Sequence, residues 1–96
     1  MDKRNKGERG GSYFGEIDLL LLKELVTSKR RYSIEELREQ LGLAHMSTRR
    51  HLGWLIKIGL VSRDKVPKKN KAILTITNDG RQVLSLFERL LKKINV

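Results

Sequence analysis

Residues 33–63 read SIEELREQLGLAHMSTRRHLGWLIKIGLVSR, and their pattern carries the clearest secondary-structure signals in the chain. Ser33 and Glu36 form a capping-box pattern, which predicts that a helix begins here. Gly42 suits the left-handed residue that ends such a helix. After a short turn, apolar residues recur at helical spacing until Gly59. The segment therefore predicts two short helices joined by a tight glycine turn.

The flanking sequence predicts a hairpin and two further helices. Residues 60–65 and 72–77 are rich in β-forming side chains, and the polar loop VPKKNK separates them, which predicts an antiparallel hairpin with a basic tip. Residues 16–28 form an uninterrupted amphipathic helix pattern. Thr77 suits the N-cap of a last helix that reaches about Asn95. The prediction is an α+β fold, mostly helical, with three helices, a two-stranded hairpin and a C-terminal helix.

The composition indicates one small basic domain. The chain has 96 residues and a net charge of +10, which predicts a polyanionic partner, most often nucleic acid. The absence of cysteine excludes disulfide scaffolds, cysteine metal sites and thiol catalysis. The longest apolar run, residues 19–22, is too short to cross a bilayer, and no signal-peptide pattern follows the basic start. We therefore expect a cytoplasmic protein without membrane association.

The positive charge is concentrated in the second helix of the pair and in the hairpin. Between Gln40 and Asn78 there are eight Lys or Arg residues and one acid, Asp64, so this segment carries +7 of the total charge. Such a cluster fits phosphate binding, in which neutralised phosphates release condensed counterions. The helix face opposite Leu52 and Leu55 gathers the candidate DNA-contacting residues Ser47, Arg49, Arg50, His51, Trp54 and Lys57.

The order of these elements resembles the winged helix-turn-helix regulators of bacteria and archaea. Their recognition helix commonly reads T-x-x-R-x-L-x-x-L-x-x-x-G-L-[IV], and the matching residues here are Arg50, Leu52, Leu55, Gly59, Leu60 and Val61. A later motif, L-T-x-x-G-x-x-x-L, is matched by Ile76, Thr77, Gly80 and Leu84. The resemblance covers residues 16–95 and is nearest to small archaeal members, cellular or viral, with a C-terminal dimerisation helix. Ala44 departs from the pattern, because a Ser or Thr cap is common there.

The resemblance implies that the second helix of the pair is a recognition helix in the major groove and that the hairpin is a wing. Arg50 is the best candidate for reading a base, since its fork can donate twice to guanine, although a phosphate contact is the alternative. Lys57 is expected on phosphate. The basic residues of the wing would follow a phosphate ridge or enter the minor groove. The alternative is that the wing is a solvated loop without DNA contact. These residues are Arg63, Lys65, Lys68, Lys69 and Lys71.

Three aromatic or histidine side chains have open interpretations. Trp54 can pack on the first helix or the tail, meet a second subunit, or touch DNA. His45 and His51 are expected to be surface or packed histidines, because two histidines without cysteine make a poor metal site. We predict no metal and no cofactor.

The last helix carries more apolar residues than one core-facing row needs. Val83, Leu86 or Phe87, Leu90 and Ile94 form one row, and Leu84 and Leu91 form another. Unmatched rows of this kind usually pair with a partner helix. We predict a homodimer through Val83, Leu84, Phe87, Leu90, Leu91 and Ile94, with absorption of both rows by the core as the alternative.

These features divide the chain into three regions. Residues 1–15 hold four of the eight glycines and several bases, which predicts a flexible basic tail or, alternatively, an arm that follows a DNA groove. Residues 16–78 form the winged helix-turn-helix domain, and residues 79–96 form the dimerisation helix.

The predicted function is a dimeric double-stranded-DNA-binding transcriptional regulator. The alternatives are an architectural DNA binder with low sequence specificity and a winged helix used for protein contact in transcription machinery. Single-stranded nucleic acid or RNA binding is less favoured, because it would use several exposed aromatic side chains. An enzyme is least favoured, since no nucleophile–base pair accompanies the helix acids Glu35, Glu36 and Glu39.

Overall fold

Six elements make up the fold in the computed structural model, which describes residues 14–67 and 71–94. They are α1 (Glu16–Thr27), α2 (Ile34–Leu41), α3 (His45–Lys57), β1 (Val61–Val66), β2 (Lys71–Ile76) and α4 (Asn78–Ile94). This order confirms the predicted mostly helical α+β architecture. The predicted basic tail lies outside the described residues except for its last two positions.

Local side-chain chemistry sets the bounds of α2. The Ser33 hydroxyl accepts a hydrogen bond from the Glu36 amide at 3.2 Å, and the Glu36 carboxylate accepts one from the Ser33 amide at 3.0 Å. The helix ends at Gly42, whose φ of 66° is left-handed. Glycine adopts this conformation without the steric penalty that a Cβ brings. The predicted capping box and the predicted helix end are thus both confirmed.

The two strands form an antiparallel hairpin, with Val61 opposite Ile76 and Val66 opposite Lys71. On the other edge of β2, Tyr32 forms an isolated bridge with Leu74, whose amide donates to the Tyr32 carbonyl at 2.8 Å. The Tyr32 hydroxyl also donates to Glu24 of α1 at 2.6 Å. The connection between α1 and α2 is thereby joined both to the first helix and to the hairpin.

One hydrophobic core receives side chains from all six elements. Leucines fill its helical part, and the strands add Val61, Leu74 and Ile76, which pack the hairpin against the helices. The buried hydrophobic residues are Leu21, Leu22, Tyr32, Leu37, Leu52, Leu55, Leu60, Val61, Leu74, Ile76 and Leu84.

The start of α4 packs tightly against the segment that precedes the hairpin. The Thr77 hydroxyl accepts from the Gly80 amide at 3.0 Å, which makes Thr77 the N-cap predicted from sequence, and donates to the Gly59 carbonyl at 2.7 Å. The Thr77 amide donates to the Leu60 carbonyl at 3.0 Å. A Cβ on Gly80 would clash with that same Leu60 carbonyl oxygen. Gly80 is therefore needed for the close approach of α4.

Candidate nucleic-acid interface

The recognition helix predicted from sequence is α3, and it has one buried and one exposed face. Thr48, Leu52 and Leu55 are fully buried. Ala44, at the N-cap, supplies no side-chain hydrogen bond, so α3 begins at His45 with an uncapped first turn. The Thr48 hydroxyl donates to the Ala44 carbonyl at 2.7 Å, and this hydrogen bond holds the first turn on the buried side of the helix.

The exposed face of α3 is cationic. Arg49, Arg50 and Lys57 are exposed, and within the described ranges no carboxylate lies within salt-bridge distance of any of them. Met46 lies on the same side and is 71% exposed, although it is not among the contact residues predicted from sequence. Ser47 is half-buried. Unpaired guanidinium and ammonium groups on an outward helix face can donate to phosphates and base edges.

His51 faces the interior of the protein. Its side chain is 13% exposed, and its Nδ1 lies 2.9 Å from Oδ1 of Asp18, which is fully buried in α1. Because a carboxylate oxygen accepts, Nδ1–H donates in this contact. The other carboxylate oxygen of Asp18 accepts from the Gly15 amide at 2.9 Å. We therefore correct the predicted contact set by removing His51, which joins α3 to α1.

Asp18 is not among the residues predicted from sequence, although its position in α1 is a signal that could have identified it. Asp18 stands three residues before Leu21 and four before Leu22, so that it shares their helix face. An acid on the apolar face of a helix destabilises the protein unless its buried carboxylate has a hydrogen-bonding or charged partner. The helical wheel of α1 identifies the acid, but only the tertiary structure identifies its partner.

Trp54 is half-buried and packs against the hydrophobic core. Packing within the protein therefore accounts for part of its ring. The other two interpretations, contact with a second subunit and contact with DNA, concern only the part that remains exposed.

The wing places further cations beside α3. Arg63 and Lys65 are exposed on β1, whereas Lys68 and Lys69 lie outside the described residues. Lys71, at the start of β2, donates to the Glu36 carboxylate at 2.8 Å. One carboxylate thus joins the N-cap of α2 to the end of β2 that is next to the wing tip.

A shallow cleft of about 280 Å³ opens between α2, α3 and the wing. Three of its side chains are cations that arrive from three different elements, and one is a carboxylate. The lining residues are Ser33, Ile34, Glu35, Arg49, Arg63, Lys71 and Ala72. The fold therefore brings together bases that are far apart in the sequence.

The acids beside this cleft are held ionised by their neighbours. The hydrogen bond from Lys71, helped by the Ser33 amide, lowers the pKa of Glu36 to about 2. The hydrogen bond from Arg38 lowers the pKa of Glu35, and His45 lies 3.0 Å from the same carboxylate. Both acids therefore stay charged at lower pH than an ordinary glutamate does, and they offset part of the cationic field of the cleft.

The apolar residues of α4 divide between the core and the surface. Leu84 is only 4% exposed and belongs to the core, so we correct the predicted dimer surface by removing it. Val83 packs partly against the core, and Phe87 stacks on Phe14 with ring centroids 4.4 Å apart. The exposed apolar side chains of α4 are Leu86, Leu90, Leu91 and Ile94.

An apolar groove continues this exposed stripe onto α1. The groove has a volume of about 230 Å³ and is lined by Leu19, Leu20, Leu84 and Leu91, with Glu16, Lys23 and Glu88 at its rim. Leu20 is 42% exposed. The apolar surface thus spans two helices.

Solved structures with the same architecture come from several organisms. The PcaV transcriptional regulator from Streptomyces coelicolor superposes with a TM-score of 0.77 over 93% of this chain and 65% of its own, at 17% identity. The transcriptional regulator BldR from Sulfolobus solfataricus superposes with a TM-score of 0.68 over 81% of this chain and 55% of its own, at 28% identity. The chain is a winged helix-turn-helix protein. A MarR-family regulator from Porphyromonas gingivalis W83 also aligns, with a TM-score of 0.65 at 20% identity, over 96% of this chain and 91% of its own.

This winged-helix protein spans less than two thirds of the PcaV and BldR chains. The likeness to PcaV, at 17% identity, and to the P. gingivalis protein, at 20% identity, shows the fold alone. All three are described as transcriptional regulators and none as an enzyme. The match to BldR, at 28%, partly supports the predicted nearness to archaeal members. No protein-family model matches the sequence, and no curated protein sequence matches it.

Residues 14–67 and 71–94 contain no group of three or more potential ligand residues placed to hold a metal ion. None of their helices combines the length and the hydropathy that a membrane span requires.

Proposed function

We propose that this winged-helix protein is a dimeric transcriptional regulator that binds double-stranded DNA. The observation that carries the proposal is the outward face of α3, where Arg49, Arg50 and Lys57 are exposed without a carboxylate partner among the described residues. A helix of this width fits the major groove, and its cations can donate to base edges and phosphates. As a regulator the protein would act in the cytoplasm, associated with the nucleoid or, if it is viral, in the host cytoplasm.

We propose different roles for the cations of α3 and of the wing. Arg50, on the outward face, is proposed to read a base, and Lys57 to bind phosphate. Arg63 and Lys65 would lie on the flanking backbone together with the wing-tip residues Lys68 and Lys69. Lys71 is already paired with Glu36, so it is proposed to hold the wing and to contribute less to DNA affinity.

A second part of the proposal is a symmetric homodimer through α4. Four large apolar side chains of α4 and Leu20 of α1 are exposed on a chain of this size. Contiguous exposed apolar surface of this kind marks an interaction site. A two-fold pairing would set two copies of α3 on one side of the duplex, about one helical turn apart.

The DNA part is tested by fluorescence anisotropy with a labelled random-sequence duplex and with duplexes selected from a random pool, at several salt concentrations. We expect salt-sensitive binding that is about a thousandfold tighter on a selected duplex than on the random one. Equal binding to all duplexes would instead favour an architectural role. An absence of duplex binding at low salt would overturn the proposal and favour a protein-contact role.

Arg50→Ala should weaken binding to the selected duplex by about tenfold or more and reduce its preference over the random duplex. The reason is that a bidentate guanidinium contact with a base has no counterpart in alanine. Arg81→Ala, which removes the same charge from the exposed surface of α4, is the control and should leave the preference unchanged. A uniform loss on both duplexes would assign Arg50 to phosphate.

Leu86→Glu combined with Leu90→Glu should convert the dimer into a monomer. Light scattering should then give 11.1 kDa in place of twice that mass. Gln82→Glu combined with Ser85→Glu, which adds the same two charges at exposed polar positions of the same helix, should leave the wild-type mass unchanged. A wild-type protein that is monomeric at tens of micromolar would contradict the dimer, but not the DNA contact of a single copy.

A further inference from the structure

Gly53 occupies a position where nothing in the protein itself calls for glycine. It lies in the interior of α3 and is exposed, and a Cβ built there would meet no atom within 4 Å. Its φ is not left-handed, in contrast to those of Gly42 and Gly59. Glycine is unfavourable in a helix interior relative to alanine. The helix therefore accepts a destabilising residue that neither packing nor backbone conformation explains.

The neighbours of Gly53 are the cations of the proposed DNA surface. Residues three and four positions apart are adjacent on a helix, so that Arg49 and Arg50 lie one turn before Gly53 and Lys57 one turn after it. All three are exposed. At Gly53 the backbone of α3 is thus not covered by a side chain of its own, and long cationic side chains lie one turn before and one turn after it. This position is on the side of α3 that faces away from the core.

We infer that Gly53 is the point where the backbone of α3 comes closest to bound DNA. This inference rests on the proposed function and deepens it. A missing Cβ lets a helix backbone approach a ligand more closely than any other residue allows. The cations of the adjacent turns then reach phosphates or base edges on both sides of the contact. Gly53 determines how deeply α3 enters the groove.

The inference predicts opposite effects on folding and on binding. Gly53→Ala should raise the thermal unfolding midpoint by about 4 °C, because it improves helix propensity in open space. The same change should raise the Kd for DNA by about fivefold, and Gly53→Leu should raise it by about fiftyfold, within the range of single lost contacts. For a residue with a purely structural role, a substitution that raises the stability of the protein would not lower its affinity for DNA.

The experiment uses the full chain and a fluorescein-labelled duplex of about 30 base pairs selected from a random pool, long enough for two half-sites. Ser85→Ala, an exposed helical position on α4, is the control and should raise the midpoint without changing the Kd. Wild-type binding together with equal or tighter binding by Gly53→Leu would overturn the inference and leave the proposed function standing. A lower midpoint for Gly53→Ala would also overturn the inference. Failure of the wild-type protein to bind any duplex would overturn both.

Discussion

Replacing Asp18 with alanine should destabilise the protein by about 3 kcal/mol, because each buried polar group that loses its hydrogen-bond partner costs about 1–3 kcal/mol. The carboxylate is fully buried and accepts from both His51 Nδ1 and the Gly15 amide. Alanine leaves both of these part-buried donors without their acceptor, which costs more than the lost hydrogen bonds themselves. Urea unfolding followed by circular dichroism, at one fixed protein concentration, measures the effect.

Three further variants separate the pair from general helix effects. Glu16→Ala removes an exposed acid from the same first turn of α1 and should change stability by less than about 0.5 kcal/mol. His51→Ala should also be strongly destabilising, because it leaves the Asp18 carboxylate buried without its partner. The double variant should lose less than the sum of the two single losses. An Asp18→Ala protein as stable as the wild type would contradict the assignment.

Gly80→Ala should destabilise the protein by about 2 kcal/mol, within the range of overpacked cores. Helix propensity alone predicts the opposite sign, since alanine is the better helix former. Sterics should prevail because the new Cβ would clash with the Leu60 carbonyl oxygen and would lie 2.6 Å from the Ile76 side chain. Neither group is the far end of a flexible chain, so that α4 has to move away from the hairpin base.

Gly53→Ala is the matched control for Gly80→Ala, because both replace a helical glycine and only Gly80 is packed. Thermal unfolding should move in opposite directions for the two variants. A more stable Gly80→Ala protein would show that α4 shifts at no cost, which would contradict the tight contact.

The order and bounds of the elements could be predicted because their signals are local. The capping box at Ser33 and Glu36 acts within one turn, and the left-handed conformations of Gly42 and Gly59 need no distant partner. Apolar spacing in α3 likewise identifies Leu52 and Leu55 as its buried face. The outward positions of Arg49 and Arg50 follow from the same wheel.

The pairings between elements could not be predicted, because they depend on how the helices pack. Asp18 and His51 are 33 positions apart, and Glu36 and Lys71 are 35 positions apart. His51 lies at the margin of the α3 wheel, where a small rotation decides between solvent and core. The structure turns it inward, and the buried carboxylate of α1 is the reason it can stay there.

The rotation of α4 about its own axis is likewise not predictable from the sequence. Its apolar residues span an arc that is wider than one core-facing row, so that the wheel alone does not show which row faces the core. The packing of Gly80 on Leu60 fixes the rotation of α4, and this rotation buries Leu84 and exposes Leu86. One unpredicted close contact therefore decides which residues are available to a partner.

The bridge between Tyr32 and Leu74 has a consequence for the solubility of the chain. A two-stranded hairpin offers two open edges, and each can recruit a strand from another molecule and start aggregation. Here Tyr32 occupies part of the outer edge of β2. The open edge is β1, and it presents the consecutive exposed charges Arg63, Asp64 and Lys65. Charges of this kind discourage edge-to-edge pairing, so the hairpin can remain exposed for ligand contact without seeding fibres.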